Sequence, residues 1–488
     1  MATQALEGIA LSSPKTPGTP SSQKRHISPS AETSASKRIL LLALRGSTPS
    51  SPQIINVSAF SQTYIPKGLF PAGTAKIEDE QDTVGVSPLQ PRHIILPFDL
   101  RKDPEAWHLD TNSKLLISLF PGAGVGFDGW CLIYWLNVLP PKPWPKTIAG
   151  VPCYFTVDKN RGSPFPPPRP AHWSNPSIGQ EVDGRNLSDW DQVFQLIRKY
   201  FDEVQIPITE VQYWDEFVRI VLRNRNTDTT KLPKSVANVR CHYLYEDEMG
   251  RPEVPQARRL VEPEPANPDE SEYNILRPGV RLASDFDPSQ TGAYLKTSAG
   301  ILVRDREGNT FMTCAAHGFP RKWGSAVYHP SPSTGQSIGE LVMEIAHTDI
   351  ALVKLNKEKE FVNETFESNL RGALRLQRLL TAKRYSILAL DSPDTGFIEG
   401  TLAISAKMRV PVDDPLEPEQ EWICTTWVYT GQGMSKDLPD GICGSAIWDE
   451  DGTVVGFFRY APKTGVMTDW CAGIAAKELI ERGFTIVQ

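Results

Sequence analysis

The chain has no basic excess. Its 51 Lys and Arg are outnumbered by 58 Asp and Glu, giving a formal charge of -7 over 488 residues. Without surplus cations it has little with which to displace counterions from a polyphosphate backbone, so nucleic acid is not an expected partner. Cysteine is scarce as well. The seven (Cys131, Cys153, Cys241, Cys314, Cys424, Cys443, Cys471) are scattered and include no C-x-x-C pair, which argues against a zinc ribbon or redox loop and leaves free thiols as the simple reading. No metal or organic cofactor is called for. The most apolar stretch, Leu115 to Leu139, is interrupted by Pro121 and Asp128. It falls short of the roughly 18 uncharged residues of a membrane-spanning helix and reads as buried core, with no membrane partner. Met1 to Ser13 carries Glu7, no basic opening and no apolar block. A secretory leader is therefore not expected, and a reducing intracellular setting, cytoplasmic or nuclear, is.

Proline and glycine are plentiful, at 42 and 35 residues, so much of the chain must be loop, and its length suits several domains. Residues 1–57 form a Ser/Thr/Pro-rich tail. Within residues 1–52 there are six Ser-Pro or Thr-Pro steps, and six basic residues against Glu7 and Glu32 give +4, leaving -11 for the remainder. A segment so poor in aromatics cannot offset its ordering entropy, and disorder is expected there. Lys24-Arg25 and Lys37-Arg38 offer a two-part nuclear address and the Ser/Thr-Pro steps offer phosphate acceptors, patterns common in such tails.

Residues 58–146 are aromatic- and loop-rich. Gly122-Ala-Gly-Val-Gly126 lacks the Gly-Lys-Ser/Thr ending of a phosphate loop and reads as a turn. Residues 147–249 suggest a small α+β domain. A helix opens at Ser188 with Asp191 completing a capping box, and Val193, Ile197, Tyr200, Phe201 and Val204 share one face until Pro207. Strands follow on either side of Trp214-Asp215-Glu216 and over Arg240 to Tyr245. Residues 250–277, with Pro252, Pro255, Pro263, Pro265 and Pro268 and an acidic cluster, read as a stiff linker. Residues 278–488 read as all-β: short strands, glycine-marked turns and little helix before the end.

Three elements of this last region carry chemistry. Ala299 to Val303 and Thr310 to Ala315 flank a hairpin turn, and the second strand runs into Ala316-His317-Gly318, where small neighbours leave the imidazole room to face a cleft. Asp349 stands at the entrance of an apolar strand, Ile350 to Leu355, where burial demands donors such as a histidine Nδ1–H. Gly441-Ile442-Cys443-Gly444-Ser445 puts glycine on both sides of a thiol, allowing a tight turn whose amides converge on one point, as a developing oxyanion needs. Core cysteines need no such turn.

In order and spacing these residues resemble the chymotrypsin-like, or trypsin-like, peptidases. Ala315-Ala316-His317 is similar to that family's Ala-Ala-His, Asp349-Ile350-Ala351-Leu352 to its Asp-Ile-Ala-Leu, and Gly441 to Ser445 to its Gly-Asp-Ser-Gly-Ser/Gly. Thr395-Gly396 to Thr401 resembles a step common in bacterial-type members. The resemblance spans about Pro278 to Gly483, and a tail followed by such a domain is similar to uncharacterised fungal proteins. It implies a double β-barrel in which Cys443 is the nucleophile, His317 the base and Asp349 its orienting partner, with the amides of Gly441 and Cys443 as oxyanion donors. It further implies Asp437 as a selector of basic side chains, and Phe458 and Arg459 as part of a strand that pairs with a protein or peptide substrate.

Two departures stand out. Cys443 replaces serine, as in the cysteine-nucleophile branch, and Ile442 replaces the acid that captures a freshly cut N-terminus in zymogen-activated relatives. Ser445 is a poorer nucleophile by position, because Ala446 would follow it where the turn wants glycine. Two functions stay open: an intracellular cysteine peptidase with a Cys-His-Asp triad, or a catalytically inactive barrel kept as a protein-binding or sensing module.

Overall fold

The structure, a computed structural model, describes residues 54–55, 93–142, 144–160, 164–252, 269–285, 294–319, 323–345, 347–366, 373–410, 422–434, 438 and 441–488. The tail 1–53, the internal stretch 253–268 and Asp437 lie outside the described residues.

Two six-stranded barrels make up the C-terminal half, and strand pairing alone closes each. In the first, one chain stretch supplies both Lys296–Ser298, paired with Arg281–Ala283, and Leu302–Arg304, paired with Thr310–Ala315. Pairing continues through Ile350–Leu355, Gln336–Glu344 and Ala326–His329 back to Arg281–Ala283. The second repeats the device. Gly396–Gly400 pairs with Leu388–Ser392, and its continuation Ala403–Arg409 pairs with Trp422–Tyr429. Trp470–Ala475, Thr453–Tyr460 and Ala446–Asp449 complete the circuit.

Side-chain alternation explains how the barrels seat against each other. Along Ile350–Leu355, Ala351 and Val353 enter the first barrel's core with Met312, Val327 and Leu341. Ile350 and Leu352 face the other way and join Ile301, Val303, Ala446, Trp448, Phe457 and Ile474 in a buried seam between barrels. A period of two places one set in each layer, so a one-residue slip would exchange them and put Ile350 and Leu352 where Ala351 and Val353 fit.

The upstream regions are not separate from this body. Ile208–Tyr213 pairs with Ser405 to Met408 of the second barrel and extends its sheet through Phe217–Leu222 and Val239–Tyr245. The helix opens at Asp191 rather than Ser188. Trp190 is its N-cap, and its indole has no acceptor to offer the first turn; the Asp191 carboxylate turns to Lys407 (2.8 Å) and Lys477 (3.2 Å) of the barrel. Its expected face holds: Val193, Ile197 and Phe201 are buried.

The boundary expected at 147 falls inside a second sheet. Thr147–Ile148 and Val151–Thr156 pair with His93–Ile94 and Leu132–Trp135, which leaves 177–245 as the layer attached to the barrel. Gly124–Phe127 is the edge strand of that sheet, and Gly126 lies against the Trp135 ring, where a Cβ would come within 2.7 Å. Packing explains the glycine. Both ends of the expected linker are docked as well: Arg251 pairs with buried Glu210 (2.7 Å), and Tyr273 is buried in the first barrel's core. Among the described residues no helix is long and apolar enough to cross a membrane.

Candidate active site

The three chemical elements meet where the barrels face each other. Thr310–Ala315 ends and a short 3₁₀ turn, Ala316–Gly318, lifts His317 off the first barrel's sheet. The neighbouring strand begins after Asp349, whose φ of 65° is a left-handed conformation that aspartate tolerates better than most residues. Two backbone ties lock the pair: Ala316 N–H donates to the Asp349 carbonyl (2.8 Å), and Asp349 N–H donates to Glu344 Oε1 (3.0 Å). The carboxylate then receives the His317 N–H (2.9 Å) at Oδ1 and lies 3.0 and 2.8 Å from Nδ1 through its two oxygens. Nδ1 therefore keeps its proton, and Nε2 is the ring nitrogen left to exchange one with the thiol.

The second barrel brings the thiol. Gly441 and Gly444 take φ of 88° and 90° on either side of Ile442-Cys443. The turn is pinned from both sides. Gly444 N–H donates to Phe458 O (2.7 Å), while the Cys443 carbonyl accepts from Ser298 N–H (2.8 Å) and Thr297 Oγ1 (2.6 Å) of the first barrel, and Ser298 Oγ donates to Gly441 O (2.9 Å). Among the described residues, the amides of Gly441 and Cys443 have no backbone acceptor. Thr297 and Ser298 were missed by sequence reasoning. Nothing about a Lys-Thr-Ser strand marks it as the brace of a turn more than a hundred residues away.

Electrostatics couple the three groups. Burial alone would push His317 down. The Asp349 carboxylate and the Cys443 sulfur, in hydrogen-bond contact with the ring, outweigh it and hold the imidazole well above the usual histidine range. Burial would raise Asp349, but His317 and then Arg459 bring it down to about 2. Cys443 Sγ also lies 3.0 Å from the Arg459 carbonyl, so the sulfur sits between an imidazole and a carbonyl oxygen. Five of the seven cysteines are buried, and Cys424 is half-buried with its thiol raised to about 12 by burial and Glu478. Cys443 is the half-buried thiol that faces an imidazole.

The remaining expectations divide. Ser445 is fully buried and its hydroxyl has no hydrogen-bond partner among the described residues, so it does not face the cleft. Phe458 is a correction: its N–H and C=O are occupied by Ser445 and Gly444, and its ring is buried, so it has no backbone group for a substrate. The Arg459 side chain, for which the sequence offers no direction, points at Asp349, with Nε 3.2 Å from Oδ2. Ile442 is 1% exposed in an apolar cluster with Leu438, Val455 and Phe458. Ile442→Asp is expected to lower stability by roughly 3 kcal/mol or more, since it would bury a carboxylate among apolar side chains. A denaturant midpoint unchanged by that substitution would mean the cluster is open to water.

An open hollow of about 540 Å³, edged by Pro207, Arg223, Arg225, Lys231 and Asp228, is lined by no cysteine, serine or histidine among the described residues. Its Arg225 is paired with Asp247 (2.6 Å) and Glu248 (3.5 Å).

No known family profile and no curated protein matches the chain. Among solved structures the chain is similar to a glutamic-acid-specific serine protease (12% identity, TM-score 0.31, covering 43% of this chain and 100% of that one). It is also similar to the Nocardiopsis protease (12%, 0.29, 44% and 100%) and to Thermobifida fusca protease A (14%, 0.28, 44% and 99%). The two-barrel fold rests on the strand pairing itself.

Proposed function

We propose that the protein is an intracellular cysteine hydrolase that cleaves peptide bonds through Cys443, His317 and Asp349. The observation that carries this reading is an imidazole bonded to a half-buried carboxylate on one barrel and in contact with a glycine-flanked thiol on the other. The reaction needs only these groups and water. His317 Nε2 accepts the thiol proton as Cys443 Sγ bonds to the substrate carbonyl carbon, and the amides of Gly441 and Cys443 receive the oxyanion. As the C–N bond breaks, the proton passes from Nε2 to the departing amine. Water then adds to the thioester carbon, Nε2 takes its proton, and the C–S bond breaks to release the acid and restore the thiol. A reducing compartment suits the scheme, because the nucleophile must stay reduced.

The alternative, a non-catalytic binding module, draws on one contact. A thiol that donates to the Arg459 carbonyl is at rest rather than activated.

Iodoacetamide labelling of the full chain, read by peptide mass spectrometry, separates the two. The peptidase reading expects Cys443 to react ahead of the other six thiols at pH 6–7, and His317→Ala to slow it by about tenfold or more. Slow labelling of all seven at similar rates, unaffected by His317→Ala, leaves the binding module.

A further inference from the structure

Thr453–Tyr460 does not run regularly to its end. Its pairing with Trp470–Ala475 skips a residue: Phe458 faces Gly473 and Tyr460 faces Ala472, leaving Arg459 at a bulge. Bulges beside active sites re-aim a side chain that regular alternation would send elsewhere. Here the bulge turns the guanidinium out of the second barrel and across the seam to Asp349 on the first. Nε lies 3.2 Å from Oδ2, and Nη1 lies 3.8 Å from the buried Met408 sulfur. The side chain is only 19% exposed and its partner 11%, so the contact is poorly screened by solvent. The carbonyl of the same residue receives Cys443 Sγ. One residue thus touches both ends of the triad.

We propose that Arg459 is a positioning residue of this site: its guanidinium shares the Asp349 carboxylate with His317, so the acid orients the imidazole while its charge is already matched, and Arg459 thereby sets the pH range in which the Cys443–His317 pair reacts. The inference rests on the reading of Cys443 as an activated nucleophile.

The sign follows from charge. The guanidinium competes with the imidazole for the Asp349 carboxylate, so removing it lets that carboxylate hold the His317 proton more firmly, and the limb of the reactivity profile that needs the imidazole to take the thiol proton moves to higher pH. The other titratable groups facing this cluster stay in place in the comparison. Glu344 accepts the Asp349 amide, and the buried Cys314 thiol faces Asp349 across the strand pair. On the Arg459 side, buried Tyr460 lies among Arg251, Glu210 and Glu246.

The test is the iodoacetamide rate at Cys443 from pH 4 to 10 in the full chain, for wild type, Arg459→Gln, Arg459→Met, Arg459→Lys and His317→Ala. With either neutral variant the acid limb is expected to move up by about one pH unit, a roughly tenfold slower rate at a fixed pH on that limb. Arg459→Lys is expected to recover most of that shift. Arg459→Met keeps an apolar stem against Met408, so a fold loss in Arg459→Gln leaves a second neutral variant to read. A lower plateau with unmoved midpoints, or a move to lower pH, overturns the proposal. If His317→Ala leaves the wild-type profile unchanged, the nucleophile reading itself falls. If His317→Ala changes it and the Arg459 variants do not, only the role of Arg459 falls.

Discussion

Asp349→Asn is expected to slow acylation of Cys443 by p-nitrophenyl acetate by about 10²- to 10³-fold, read as the p-nitrophenolate burst. The carboxylate accepts two hydrogen bonds from His317 and one from Arg459. An amide can turn only its oxygen to one of them and must aim NH₂ at another. If it faces Nδ1 with NH₂, the ring proton moves to Nε2 and the base is lost. The loss should be smaller than the roughly 10⁴-fold of a hydroxyl-based triad, because a thiol needs less help from its base.

The same substitution has a signature in stability. Asp349 is held at about 2 against an ordinary 3.8, so its contribution is present above 3.8 and lost as pH falls toward 2. His317 is held above its ordinary 6.5, so its contribution is complete below 6.5 and lost as pH rises through the higher value. Together they stabilise the fold most between about pH 4 and 6.5. The gap in denaturant midpoint between wild type and Asp349→Asn should be widest there and narrow on both sides. A gap that stays constant from pH 3 to 9 would dissociate the ion pair from the fold.

Much of the site was legible because its parts are local. A histidine after small residues at a strand end, an acid before an apolar strand and a thiol between glycines each have a reason inside a window of five residues. Closure of the barrels was not legible in that way. It depends on Lys296–Ser298 and Gly396–Gly400 each continuing into a second strand with a different partner, which no local pattern announces. The helix start shifted for a similar reason: Ser188 and Asp191 make a good local cap, but two lysines of the barrel offer Asp191 a stronger partner. The direction of the Arg459 side chain was not legible, because strand alternation fails at the bulge where it sits. Register shifts arise from how two strands meet, and neither strand's sequence displays them alone.

Gly444→Ala is expected to damage both the fold and the site. At a φ of 90° any side chain is strained, and here there is no space either: a Cβ would lie 2.6 Å from Ala315 N, 2.7 Å from Ser298 O and 3.1 Å from Cys314 C. All three are backbone atoms of the first barrel, so no rotamer change relieves the clash. The nucleophile's turn and the strand leading to His317 would have to separate, at a cost of about 3 kcal/mol or more. Even a folded fraction should lose the acylation burst, since displacement by an ångström is worth about 10²-fold in an aligned reaction. Gly441→Ala is the control. Its φ of 88° carries the same backbone strain, but the nearest atom to its Cβ is the Lys296 Cβ at 3.5 Å, ordinary contact. Strain alone should cost about 1–2 kcal/mol. The difference between the two alanines in urea denaturation therefore measures how closely the barrels meet at the thiol. Equal destabilisation would mean that they do not meet there, and that the distance from Cys443 to His317 is set by something other than backbone contact.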